Sequence, residues 1–128
     1  MSPRTLDVDV LVVDDDAAVR TSTGEVIASC GYSVMEAVDG QEALELLGEL
    51  AVGIMILDIQ MPRLSGLALL DQLDDPPPVV LLSAFESPET DDRHDDNVIR
   101  HLHKPAAPDD LLVTIAGAIG PPHQASAI

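Results

Sequence analysis

The sequence predicts an α/β domain, a doubly wound five-stranded parallel sheet with helices on both faces. Three observations carry this expectation. Short apolar runs alternate with helix-period patterns, the central runs are almost wholly apolar, and each of these stops abruptly at a polar residue. A strand apolar on both sides must be buried on both sides, and in a parallel sheet the crossover helices provide the cover. Right-handed crossovers then wind the chain into the order 2-1-3-4-5. All strands in such a sheet direct their C-terminal ends to one edge, where ligands bind.

The first run, Val8 to Val13, ends in Asp14, Asp15 and Asp16. From Ala17 to Cys30, residues Val19, Thr23, Val26, Ile27 and Cys30 recur on one helix face, with Gly31 as the stop. Cys30 is read here as a small buried apolar residue, and a lone cysteine has no intrachain disulfide partner. A weak second strand, Tyr32 to Ala37, leads to a turn at Asp39-Gly40 and a helix from Gln41 to Leu50, with Ala43, Leu44, Leu47 and Leu50 facing inward. Ile54 to Leu57 is the third strand, closed by Asp58. A third helix spans Gly66 to Leu73, and Val79 to Leu82 forms a strand closed by Ser83. A polar helix after Pro88 precedes strand five, Ile99 to Leu102, which Pro105 terminates. Asp109 to Ile119 forms the last helix, with more apolar residues than one face needs, so part of it is a candidate partner or dimer surface.

A chain of 128 residues suits one domain, taken as 1–120 with a short tail at 121–128. With 46% hydrophobic residues and a mean hydropathy of +0.20 it can build a core, unlike a disordered acidic chain. Lys and Arg number 6 against 23 Asp and Glu, a formal net charge of −17. Such a surface repels polyanions, and one Tyr, one Phe and no Trp offer no stacking platform for bases, so direct nucleic-acid binding is not expected. No stretch has the length and apolarity of a signal peptide or membrane span, which sets a cytoplasmic expectation with no membrane partner.

The residues closing the strands are Asp14 and Asp15, Asp58, Ser83 and, past strand five, Lys104. The topology brings them all to one crevice. Packed carboxylates repel one another unless a cation intervenes, and a hard oxygen donor set suits Mg²⁺, with Mn²⁺ as a substitute. A lysine ammonium and a serine hydroxyl beside them can meet phosphoryl oxygens. Positioning and charge stabilisation supply nearly all the catalysis in phosphoryl transfer.

The segments VLVVDDD, LDIQMPRLSG, VVLLSA and HLHKP resemble the signature segments of response-regulator receivers, in family order and spacing from about Val8 to Ile119. The resemblance implies the flavodoxin-like receiver fold of the chemotaxis-regulator type and a role in two-component signalling. By that resemblance Asp58 is the phosphoacceptor, Asp14 and Asp15 are the metal-binding acidic pair, and Gln60 gives its backbone carbonyl to the metal. Ser83 and Lys104 meet the phosphoryl group, and a cis peptide bond precedes Pro105. A histidine kinase or phosphotransfer protein is the implied donor. The surface around the fourth helix, fifth strand and fifth helix is the implied output to a protein effector. The chain is then not an enzyme beyond its own phosphorylation and dephosphorylation.

Departures are few. His101 stands where the family usually has Tyr or Phe, the partner of Ser83 in switching, and His titrates near neutrality. Asn97-Val98 replaces the usual Gly-Ala, Asn being the next-best residue for a left-handed helix end. Phe85 is a candidate shield against hydrolysis. Two rival functions fit parts of the pattern: a haloacid dehalogenase-type phosphohydrolase using Asp14 and Asp16, and a docking module independent of phosphate. Asp16 alone is better read as a helix cap. A His101–His103 metal pair lacks a third ligand.

Overall fold

The computed structural model describes residues 6–60, 66–73, 75–83, 97–104 and 106–122. The elements are β1 (Val8–Val13), α1 (Ala17–Ser29), β2 (Val34–Ala37), α2 (Gly40–Glu49), β3 (Val52–Asp58), α3 (Gly66–Asp71), β4 (Val79–Ser83), β5 (Val98–His103) and α4 (Pro108–Ile119). The five strands form one parallel sheet in the order β2-β1-β3-β4-β5, as the alternation of patterns implies. The polar helix expected after Pro88, together with Phe85, Met61, His94, Pro105 and His123, lies outside the described residues.

Alternation along each strand divides the core in two. Leu11, Val13, Met55, Leu57, Val79 and Leu81 face one side, where Ala43 of α2 and Leu69 and Leu70 of α3 cover them. Val10, Val12, Ile54, Ile56, Val80 and Leu82 face the other, against Ile27 of α1 and Leu111 and Ile115 of α4. This is why β1, β3 and β4 read as almost unbroken apolar runs: most of their residues meet one core or the other. Asp9 is the exception in β1. It is buried, and it exchanges hydrogen bonds with Ser33, the Asp9 N–H donating to Ser33 Oγ at 2.8 Å and the Ser33 N–H to Asp9 Oδ2 at 2.9 Å. The pair fixes where the second strand joins the first.

Local chemistry explains most element ends. Asp16 caps α1, its Oδ1 accepting from the N–H groups of Ala18 and Val19. Asp39 caps α2 through Glu42 N–H, while the Glu42 carboxylate reaches back to Val38 N–H. Asp39-Gly40 is thus a helix start rather than a free-standing turn. Pro108 occupies the first turn of α4, where its missing N–H costs nothing. Gly31 ends α1 at φ 103°, a left-handed conformation that favours glycine. Tyr32 Oη donates to the carbonyl of Gly120 at 2.9 Å, joining the end of α4 to the approach to β2.

Several sequence expectations need correction. Cys30 is exposed, because it is the capping residue after the last turn of α1 and the chain leaves the core there. Asn97 does not adopt the left-handed conformation; its side-chain amide donates instead to the carbonyl of Pro76 at 3.3 Å. In α4, Leu111 and Ile115 are buried whereas Val113 is 68% exposed, so part of its apolar surplus faces solvent. Among the described residues no helix is long and apolar enough to cross a membrane.

Gly53 allows α4 and β1 to close on the start of β3. A Cβ there would lie 2.8 Å from the Asp9 carbonyl oxygen, 2.9 Å from Leu6 Cδ1 and 3.2 Å from Ile119 Cγ2. The first contact is with backbone and cannot rotate away. Gly53→Ala is therefore expected to destabilise the fold by about 1–3 kcal/mol. Urea denaturation checks this, the midpoint falling while the slope is unchanged.

Candidate functional site

The C-terminal ends of β1 and β3 place two buried carboxylates side by side. Asp14 follows β1 and is 1% exposed, and Asp58 is the last residue of the central strand β3 at 3% exposed. The exposed Asp15 joins them, and the three residues offer carboxylate oxygens that all lie within 4.8 Å of one another. Each buried acid is also oriented by the backbone. Asp14 Oδ1 accepts from Asp16 N–H at 2.9 Å, and Asp58 Oδ1 accepts from Gln60 N–H at 3.1 Å.

Lys104, just past β5, brings the cation. Its Nζ lies 2.8 Å from Asp14 Oδ2 and 3.2 Å from Asp58 Oδ2. The Asp14 contact is ionic, and Oδ2 receives no well-directed hydrogen bond. The Lys104 N–H donates to the Ser83 carbonyl at 2.7 Å, so the ammonium and the serine hydroxyl hang from adjoining strand ends. Ser83 is buried and pairs in register with His103. His101 pairs with Leu81, two residues earlier on each strand, which places half-buried His101 on the same face as Ser83.

One ammonium between two buried carboxylates leaves the cluster negative, and the protonation equilibria follow. Burial pushes the Asp58 carboxyl up and the charge of Asp14 adds to this, while the Gln60 N–H and Lys104 pull it down; the net direction is up. Burial alone would lower the Lys104 ammonium, but Asp14 and Asp58 outweigh it and hold it above its ordinary value. An oxygen-only donor set, part buried and short of positive charge, fits a hard divalent cation. Asp14, Asp15 and Asp58 are the residues that would hold it, and its charge would make up the deficit.

The structure thus brings Asp14, Asp15, Asp58 and Lys104 together and sets Ser83 on the adjoining strand end. Asp16 stands apart: its Oδ1 caps α1 through two helix N–H groups, and it is not among the carboxylates that cluster with Asp14, which disfavours the phosphohydrolase reading. Sequence reasoning missed Arg20. Its guanidinium donates to the carbonyl of Asp14 at 2.9 Å and to Glu36 Oε1 at 3.0 Å. A cation one helical turn beyond Asp16 was the available signal, but Arg at an early helix position reads equally well as surface.

Comparison with known proteins agrees with this geometry. The family model of the response regulator receiver domain matches residues 10–116. The response regulator MprA of Mycolicibacterium vanbaalenii is 41% identical over 107 residues, covering 80% of this chain and 46% of that protein. The chain therefore spans about half the length of the curated relatives it matches. Among solved structures, a CheY-like receiver domain protein from Methanospirillum hungatei superposes with a TM-score of 0.78 at 27% identity, covering 88% of this chain and 94% of that one. The response regulator TrrA of Thermotoga maritima, solved in complex with Mg²⁺-BeF, gives 0.77 at 26% identity, covering 87% and 98%. By sequence match, sheet order and the acidic pocket at the strand ends, the chain belongs to the response regulator receiver domain family and has the fold and phosphorelay role of a receiver.

Proposed function

We propose that Asp58 is the phosphoacceptor of this receiver. One observation supports it above the others: Asp58 ends the central strand with one carboxylate oxygen held by Gln60 N–H and the other beside Lys104. In this reading a carboxylate oxygen of Asp58 attacks the phosphorus of a phosphorylated histidine on a kinase or phosphotransfer protein. The new O–P bond forms as the bond to the donor nitrogen breaks. Lys104 and the Ser83 hydroxyl stabilise the phosphoryl oxygens. Mg²⁺, or Mn²⁺ in its place, would be held by Asp14, Asp15, Asp58 and the Gln60 backbone carbonyl, and would neutralise charge shared by acids and phosphoryl oxygens. The related TrrA, solved with Mg²⁺-BeF, supports that choice of ion.

Ser83 and His101 form the switch pair in this proposal, and the region around β5 and α4 is the output toward a protein effector or a second copy. Residues 1–120 make up the receiver and 121–128 a tail, acting in the cytoplasm through protein partners. With a net charge of −17 this portion is poorly suited to nucleic acid.

Intact-mass measurement after treatment with acetyl phosphate and Mg²⁺ tests the proposal. The wild type is expected to gain one acid-labile phosphoryl group, and a chelator is expected to suppress the gain. Labelling that survives in Asp58→Ala would place the acceptor elsewhere.

A further inference from the structure

Among the described residues, Arg20 is a cation that touches the site without a part in the phosphoryl chemistry. Its side chain is 13% exposed, low for an arginine in the second turn of a surface helix. One arm of the guanidinium, Nη1, donates to the carbonyl of Asp14 at 2.9 Å. The other, Nε, donates to Glu36 Oε1 at 3.0 Å on the edge strand β2. Glu36 is itself seated against α1, where Gly24 leaves the surface bare: a Cβ at that position would stand 3.4 Å from Glu36 Oε2.

The direction of the electrostatics makes this arrangement informative. A guanidinium bonded to the backbone of an acidic residue opposes the arrival of a divalent cation at that residue's carboxylate. Glu36 offsets that charge. What remains is geometric: the turn from β1 to α1 is fixed at its carbonyl by Arg20 and at its carboxylate by Asp16 N–H. We infer that Arg20, oriented by Glu36, is a positioning residue that holds the Asp14–Asp15 turn in the metal-receptive arrangement before any ion binds. The inference rests on the reading of Asp14, Asp15 and Asp58 as a divalent-ion site. Outer contacts of this kind orient ligands, and their loss typically weakens metal affinity by about 10–100-fold.

The test is Mg²⁺ titration of the intact protein by calorimetry, well below the thermal transition, with folding checked by circular dichroism. Arg20→Met removes a nearby positive charge, so electrostatics alone would tighten Mg²⁺ binding. Positioning instead predicts binding weaker by about tenfold. Arg20→Lys keeps the charge but cannot span both partners, and it is expected to bind more weakly than wild type. The double variant Arg20→Gln with Glu36→Gln leaves the net charge unchanged and is also expected to weaken binding. A purely structural role would lower the melting temperature of these variants and leave Mg²⁺ affinity of the folded protein as it was. Unchanged or tighter binding in folded Arg20→Met overturns the inference; if that variant does not fold, the same result in Arg20→Lys or the double variant does so. Failure of the underlying reading looks different: wild type would not bind Mg²⁺, or Asp14→Asn would bind it as well as wild type.

Discussion

Asp58→Asn is expected to abolish phosphoryl uptake and, in the same molecule, to raise the stability of the metal-free protein near neutral pH. The two effects share one cause. Burial and the neighbouring Asp14 raise the Asp58 carboxyl above its ordinary value, so ionising it costs more in the folded state than in the unfolded one. That penalty is absent at low pH, where the group is protonated in both states. It grows as pH rises from the ordinary carboxylate range and is complete once pH has passed the raised folded value. Asparagine removes the charge, can keep an oxygen on the Gln60 N–H, and leaves Lys104 paired with Asp14 at 2.8 Å. A gain in stability at pH 7 is expected, its size set by how far the carboxyl is raised. Denaturant titrations in chelator at pH 7 and again below pH 4 check it: the variant is the more stable at pH 7, and the difference disappears in acid. Added Mg²⁺ should then favour the wild type, because a ligand that binds the native state stabilises it by mass action. A variant less stable than wild type at pH 7 in chelator would contradict the account.

Lys104→Met carries the opposite sign. The ammonium lies within 3.2 Å of both buried carboxylates, and methionine fills comparable space without charge. Removing one partner of a buried ion pair typically costs about 3–5 kcal/mol, because the remaining charge stays desolvated and unpaired. Here two acids are left facing each other, and a loss of about 3 kcal/mol is expected at neutral pH in chelator. The pH window follows from two shifts. The Lys104 ammonium is raised, so the stability it contributes is fully present below its ordinary value of 10.5 and is lost as pH rises through the higher folded value. At the acid end, protonation of Asp58 relieves the repulsion, so the deficit of the variant shrinks as pH falls. Melting temperatures across pH 4 to 9, with and without Mg²⁺, check this. Most of the deficit is expected to disappear when Mg²⁺ supplies the missing positive charge.

Legibility in the sequence varied with what each element is made of. The sheet order and the ends of β1, β3 and β4 were readable, because strands apolar on both sides have no alternative burial and their terminating polar residues mark the edge. The same logic brought Asp14, Asp58 and Lys104 together ahead of any coordinates, and signature segments narrowed the chemistry. Edge elements were harder. Strand β2 covers only Val34–Ala37: it is an edge strand, Tyr32 before it is tied to Gly120, and Ser33 meets β1 partly through side-chain bonds with Asp9. Periodicity placed Cys30 on the buried stripe of α1, but the helix ends one residue earlier and the stripe ends with it. Arg20, Glu36 and the Asp9–Ser33 pair escaped notice for a shared reason. Each is an ordinary polar residue until the tertiary fold supplies its partner, and nothing local specifies that partner.

The hydrogen bond from the Lys104 backbone to the Ser83 carbonyl has a mechanical consequence. Both side chains are levers mounted on a single joint. A displacement at the tip of β4 is therefore passed to the backbone that carries the amine, while each side chain keeps its own torsions with which to meet a new occupant of the cleft.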